Sequence, residues 1–238
     1  MLRSARLFRL FLAEQSDPDS FYAALACDAV GQVQEHAPLA GAVVLDIGGG
    51  PGYLTAAVRA RGGRCVLLEP DRSELRHPGG RFVTPDPVLA DGYALPIRTG
   101  AADVCLSANV LEHVADPERL IGEMVRVTRP GGLIYLSFTN WLSPWGGHEM
   151  SPWHYLGAGV AERRYRRRHG RPPKNRPGTA LFPVHVGPVL AHVRGRADVR
   201  VLAARPRYYP RWCRVLLAVP GLREVATWNL LLILRRTA

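Results

Sequence analysis

Lysine is almost missing from this chain: of 31 basic Lys and Arg residues, Lys174 is the only lysine. A bias that strong is what a GC-rich coding sequence tends to give, so the choice of arginine carries no functional message by itself. Cysteine is also scarce, with Cys27, Cys65, Cys105 and Cys213. None stands in a C-x-x-C pair or at zinc-ligand spacing, which excludes a zinc ribbon and a disulfide framework. Cys65 and Cys105 lie in apolar runs and are expected to be buried thiols, and no metal site is expected. No run reaches the roughly 20 apolar residues of a membrane span. The apolar stretch Leu7–Leu12 is interrupted by Arg9, follows Arg3 and Arg6, and lacks a small-residue cleavage site, so no signal peptide is expected. Val215–Leu234 is broken by Pro220, Gly221, Arg223 and Glu224. These absences predict a cytoplasmic protein.

Acidic residues are in short supply too, and unevenly so. The 20 Asp and Glu leave a formal net charge of +11. Residues 41–140 are balanced, with 10 basic and 11 acidic side chains, whereas residues 159–214 carry 15 against 2. The basic segment is either a solvated surface or suits an anionic small molecule, or an anionic lipid surface reached together with Leu7, Phe8, Phe11 and Leu12 at the membrane's inner face. Nucleic acid ranks lowest, because no RNA-binding module or separate basic domain is visible. The sequence does not indicate an oligomeric state.

The length of 238 residues fits one α/β domain with room for an insert. Residues 1–40 precede the first strand and are expected to form covering helices; 41–238 form the main domain. Within it, apolar runs predict strands at Ala42–Ile47, Arg64–Glu69, Val88–Asp91, Asp103–Ser107, Leu133–Phe138, Val199–Ala204 and Asn229–Arg235. Helices are expected at Pro51–Arg61, Pro117–Arg129, Val160–His169 and Val184–Val193. A polar stretch with His77-Pro78-Gly79-Gly80 separates the second and third strands. Residues 141–180, rich in Trp, His, Gly, Pro and Arg, read as an insert or lid.

The segment Asp46-Ile47-Gly48-Gly49-Gly50-Pro51-Gly52 joins the first strand to a helix. Glycines let the chain turn sharply and let a ligand approach the backbone closely. A dinucleotide loop needs G-x-G-x-x-G, and Tyr53 occupies the third glycine position, so a nicotinamide oxidoreductase is disfavoured. The spacing present is D-x-G-x-G-x-G. Glu69 closes the second strand, where a carboxylate can accept ribose hydroxyl protons. Asp91-Gly92-Tyr93-Ala94-Leu95-Pro96-Ile97 follows the third strand. Ser107-Ala108-Asn109-Val110-Leu111-Glu112-His113-Val114 follows the fourth, and Arg126-Val127-Thr128-Arg129-Pro130-Gly131-Gly132 precedes the fifth.

In that order these motifs resemble the class I S-adenosylmethionine-dependent methyltransferases, in particular the small-molecule group that includes the quinone-ring methylases. The whole chain, including Gly146-Gly147-His148-Glu149 and His154-Tyr155-Leu156-Gly157, is similar to actinobacterial members of undefined substrate. The resemblance implies a doubly wound, Rossmann-like, mostly parallel sheet of seven strands, the last antiparallel. It implies S-adenosylmethionine as cofactor, with Asp46, Gly48, Gly50, Gly52, Glu69, Asp91, Gly92 and Asn109 at its site.

Methyl transfer depends on holding donor and acceptor in line, and needs a base where the acceptor must lose a proton. Ligands sit at the carboxyl ends of the strands, so the base is sought after the fifth strand. His148 is the first candidate, oriented by or alternating with Glu149; His154 is second. The alternative is that these side chains only pin an irregular loop. His113 is a further candidate, whose plainer role is packing at a helix start. The expected reaction is methylation of an oxygen, then carbon or nitrogen, of a small or lipid-like, anionic metabolite. An RNA or protein methyltransferase is a second reading, weakened because Ser107-Ala108-Asn109-Val110 stands where base-amino methylases carry Asn/Asp-Pro-Pro-Tyr. A non-catalytic cofactor-binding subunit is a third.

Overall fold

A computed structural model of the chain describes residues 2–14, 16–75 and 86–237. The His77–Gly80 stretch lies outside the described residues. Two helices come first, α1 (Leu2–Leu12) and α2 (Pro18–Gln34). Asp17 starts α2 by accepting the Ser20 amide at 3.2 Å, with Pro18 in the first turn, where a missing N–H costs nothing.

Seven strands form one sheet: β1 (Val43–Ile47), β2 (Arg64–Glu69), β3 (Val88–Leu89), β4 (Ala102–Ala108), β5 (Thr128–Thr139), β6 (Val199–Pro206) and β7 (Asn229–Arg236). Their order is β3-β2-β1-β4-β5-β7-β6. The first five are parallel, and β7 runs antiparallel to both neighbours. Leu230–Leu234 are all fully buried, as a strand covered on both faces requires. Alternate side chains feed two cores. On one face Val44, Leu106, Tyr135 and Leu231 pack with Val30 of α2 and Val58 of α3 (Tyr53–Arg59). On the other, Leu45, Cys105, Ile134 and Leu232 pack with Leu120 and Met124 of α4 (Pro117–Val127) and Leu190 of α6 (Val186–Gly195). Cys65 and Cys105 are buried free thiols.

Most element boundaries shift by one or two residues from the sequence expectation, and two shifts have a clear cause. The helix after the glycine loop starts at Tyr53 because Gly52 has φ +93°, a left-handed conformation no helix can include. β5 begins at Thr128, paired with Ala102, and a register shift absorbs the Arg129–Gly132 turn before pairing resumes at Leu133. Residues 141–180 contain two 3₁₀ turns, His148–Met150 and Trp153–Leu156, and the basic helix α5 (Ala158–His169). Met150 and Ala161 of this segment form a small core with Leu181, which follows it. A short α7 (Leu222–Ala226) follows a 3₁₀ stretch at Arg211–Ala218. No described helix is long and apolar enough to cross a membrane.

The chain winds outward from β1 to β3, then returns to β4 beside β1. Neighbouring strands whose connections leave in opposite directions open a crevice at their carboxyl ends. The candidate site is built there.

Candidate active site

The glycine loop fills the β1 side of the crevice. Gly48 and Gly50 have φ +68° and +51°, values that disfavour side chains. A Cβ on Gly48 would strike the Val110 side chain at 2.6 Å, so this loop touches the chain leaving β4. A Cβ on Gly49 would meet the Asp46 carboxylate at 2.5 Å. A Cβ on Gly50, by contrast, would enter open space, its nearest neighbour being Glu74 O at 3.9 Å. Among the described residues, the loop is therefore packed from below and open above.

Glu69 secures the loop from β2. Its Oε2 accepts the Gly50 amide at 3.0 Å and its Oε1 the Asp71 amide at 3.2 Å. Burial raises its pKa, opposed by those two amides. Asp91, exposed beyond β3, accepts the Tyr93 amide at 2.9 Å, and Gly92 lies against Leu120. Asp46 points away from the crevice. It is 1 % exposed and accepts the Thr55 hydroxyl at 2.7 Å, linking β1 to α3. Burial pushes its carboxyl up to about 6. Asn109, at φ +59°, is also spent internally: its Oδ1 accepts from Asn229 at 2.9 Å and from Arg207 at 3.4 Å, tying the end of β4 to β7 and β6.

The β4–β5 side holds a different chemistry. The 3₁₀ turn Leu111–His113 follows β4 and carries Glu112, 2 % exposed. Glu112 Oε1 accepts the Thr139 amide at 2.9 Å, while Oε2 is buried without a partner. His113 Nδ1 lies 2.7 Å from the Ala180 carbonyl, which can only accept, so Nδ1 carries the proton and Nε2 keeps a lone pair. His148 comes in from the segment after β5. Its ring centroid is 5.0 Å from that of His113, its φ is +50°, and its buried Nε2 has no partner. Burial holds its pKa below the ordinary histidine value, against the pull of Glu112.

The expected grouping of His148 with Glu149 and His154 is not what forms. Glu149 turns outward and accepts the Asn175 amide and side chain, both at 2.8 Å. His154 is 2 % exposed, with Nε2 3.2 Å from Ser143 O and Nδ1 3.4 Å from Ser151 Oγ; it pins the loop. His148 meets Glu112 and His113 instead. The tryptophans disperse as well. Trp141 packs on His154, Trp145 on Phe11 of α1 and on Trp228, and Trp153 lies under Arg164.

Comparison with known proteins reads the same way. A family described as a methyltransferase domain matches residues 45–136. An uncharacterized methyltransferase of Mycolicibacterium vanbaalenii is 49 % identical over 99 % of this chain and 94 % of its own. The chain belongs to the class I S-adenosylmethionine-dependent methyltransferases. A second relative, an uncharacterized methyltransferase of Mycobacteroides abscessus, is 47 % identical over 98 % of this chain and 93 % of its own. Among solved structures, an S-adenosylmethionine-dependent methyltransferase from Mesorhizobium loti superposes with a TM-score of 0.58 at 17 % identity, covering 88 % of this chain and 98 % of that one. One from Aquifex aeolicus gives 0.52 at 14 %, covering 88 % and 90 %. Those identities speak for the fold alone. S-adenosylmethionine is the cofactor of this methyltransferase, and the open ground above Gly50 beside the Glu69 carboxylate fits it.

Two residues escaped the sequence reading. Glu112 is contiguous with His113 and was visible as part of the motif, yet nothing in its spacing marks one oxygen as unpaired. Arg207 is 3 % exposed at the end of β6. Its Nη1 donates to Ser137 Oγ at 3.1 Å, its Nε has no partner, and no carboxylate among the described residues pairs with it. In sequence it is one arginine of a basic run.

Proposed function

We propose that this methyltransferase moves the methyl group of S-adenosylmethionine to an oxygen of a small or lipid-like, anionic acceptor. The single observation that carries the reading is the convergence of Glu112, His113 and His148 at the ends of β4 and β5, with two unpaired buried polar atoms. A neutral hydroxyl is a weak nucleophile and must shed its proton as the methyl arrives, and a carboxylate–imidazole group is suited to dealing with that proton. An amine attacks with its own lone pair, so nitrogen stands behind oxygen.

The bound cofactor supplies an electrophilic methyl on sulfur. Glu69 accepts the ribose hydroxyls and Asp91 faces the adenine amino group. Gly50 leaves the room the cofactor needs, Gly48 and Gly52 hold the left-handed turns of the loop, and Gly92 packs against Leu120 across the crevice. Asp46 supports the loop from beneath through Thr55, and Asn109 supports the β4 side through Asn229. Arg207, buried beside Asn109, Ser137 and Tyr208 with no direct ion pair among the described residues, adds positive charge near the end of β4 that suits an acidic acceptor.

A lipid-like acceptor is supported by one further feature. Trp212, Val215, Val219, Leu222 and Val225 are all exposed, Trp212 at 70 %, beside the exposed Arg211 and Arg214. Apolar side chains flanked by arginine suit an anionic lipid surface. Co-sedimentation with anionic but not zwitterionic vesicles, lost in Trp212→Glu, tests this part.

The main experiment supplies methyl-labelled cofactor and a fractionated actinobacterial extract. Label is expected on oxygen in the small-molecule or lipid fraction. Label confined to protein or RNA overturns the reading in favour of a macromolecular methyltransferase. No label in any fraction, with the cofactor bound, favours a non-catalytic subunit.

A further inference from the structure

We propose that Glu112, His113 and His148 form a binding site for one divalent transition-metal ion, whose open coordination positions receive the acceptor's oxygen. The proposal deepens the oxygen-methylation reading and rests on it for the identity of the open-position ligand. The ligating atoms of the three residues all lie within 4.8 Å of one another. They form no hydrogen bond with each other among the bonds of the described residues. Ligands of one ion, each about 2.0–2.2 Å from it, stand about 3–4.4 Å apart, so small side-chain movements complete the set.

Three observations beyond the clustering point to a cation. Glu112 Oε2 and His148 Nε2 are both buried and unpartnered. Leaving such atoms buried and unpaired is costly, and one cation satisfies both. Secondly, the outer contacts are those that orient metal ligands. The Ala180 carbonyl fixes the His113 tautomer so that Nε2 offers its lone pair, and the Thr139 amide holds Glu112 Oε1, leaving Oε2 free. Thirdly, His148 occupies a left-handed backbone conformation at φ +50°. Conformations unfavourable for a side-chain-bearing residue persist where the surroundings over-determine them, and they gather at functional sites.

Two imidazoles and one carboxylate select manganese, iron, cobalt, nickel or zinc over magnesium or calcium, which prefer oxygen donors. Three protein ligands leave positions for water and for an acceptor oxygen. Coordination lowers the pKa of a bound hydroxyl, and its proton passes to water. The oxygen's electron pair then forms the O–CH₃ bond as the C–S bond breaks, its electrons going to sulfur. Glu149, facing Asn175, takes no part.

The test uses untagged full-length protein stripped with a chelator. Titration with Co²⁺ is followed by visible absorption and by calorimetry, alongside Mg²⁺. The expected result is one saturable Co²⁺ equivalent with d–d bands, weak or absent Mg²⁺ binding, and a loss of about a hundredfold or more in Co²⁺ affinity in Glu112→Gln and His148→Ala. Both variants are checked for retained S-adenosylhomocysteine binding, so a folding defect is recognised; His113→Asn then serves as a third variant. Absence of saturable Co²⁺ binding in protein that binds S-adenosylhomocysteine overturns the proposal, as does binding indifferent to all three substitutions. If no metal binds while His148→Ala still abolishes methylation, the metal falls and the oxygen-methylation reading stands. If the metal binds and label appears only on protein or RNA, the site stands and the acceptor reading falls.

Discussion

The two sides of the crevice are built on opposite principles. On the β1–β2 side, Asp46, Gly48, Gly50 and Gly52 lie in one loop, Glu69 reaches them from the neighbouring strand, and the carboxylates are satisfied by the protein itself: Asp46 by Thr55, Glu69 by Gly50 and Asp71. On the β4–β5 side, Glu112 and His113 meet His148 from a separate segment, and the Ala180 carbonyl orients them from a third. Buried polar atoms there are left unpaired. A site that binds one invariant cofactor can be satisfied by its own backbone. A site that must engage a changing acceptor keeps unspent capacity, at a cost to stability.

Five substitutions sharpen or break this contrast. The largest effect is expected on the cofactor side. Gly50→Val should abolish S-adenosylhomocysteine binding in calorimetry while the α/β circular-dichroism spectrum survives, because the side chain enters the space above the loop and the strain of a β-branched residue at φ +51° stays within that turn. Tight binding by this variant would reduce the loop to a plain turn. On the acceptor side, His148→Ala should lower turnover about a hundredfold or more with cofactor affinity nearly unchanged. A parallel loss of cofactor binding would erase the division between the two sides.

Asp46→Asn probes the saturated side by pH. The folded-state pKa of Asp46 is raised from 3.8 to about 6. Its contribution to stability is therefore fully present below pH 3.8 and is lost as pH rises through about 6. Urea unfolding of both proteins at acid and neutral pH should show the variant gaining on the parent by roughly 3 kcal/mol, an order-of-magnitude figure from the size of the shift. A constant difference across that window would mean the carboxyl is not buried in its charged form. Glu69→Ala should weaken cofactor binding by about 1–3 kcal/mol, the loss of charged hydrogen bonds to the ribose together with the tie to Gly50. Normal affinity would move the ribose elsewhere. The smallest effect belongs to Glu149→Ala. Its carboxylate serves Asn175, so kcat should change by less than about twofold, and a loss matching that of His148→Ala would restore Glu149 as the orienting acid.

How much of this was legible follows the same division. The β1 loop and the β2 terminus could be read because strand, turn and carboxylate succeed one another along the chain, and a buried parallel strand writes its position as an apolar run. Arg64–Glu69 was placed to the residue for that reason. The helix start at Tyr53 was missed by two positions because φ at Gly52 is a backbone choice that residue type permits without dictating. His148 stands out in the sequence beside Glu149 and His154, whereas the fold sets it beside Glu112 and His113. The apparent partnership with Glu149 fails because adjacent side chains on a 3₁₀ turn diverge, one toward Glu112 and the other toward Asn175.

The strand runs and the order of the motifs stand in the sequence, because each rests on residues close together and on periodicity that burial imposes locally; the fold family and the cofactor follow from the resemblance those motifs carry. The packing of Asp46 on Thr55, the bond of Asn109 to Asn229, the burial of Arg207 without a direct ion pair among the described residues, and the meeting of Glu112 with two histidines appear only in the tertiary structure. Those outcomes depend on which side chains long-range strand pairing leaves without partners, and pairing at a distance leaves no spacing for a sequence to display.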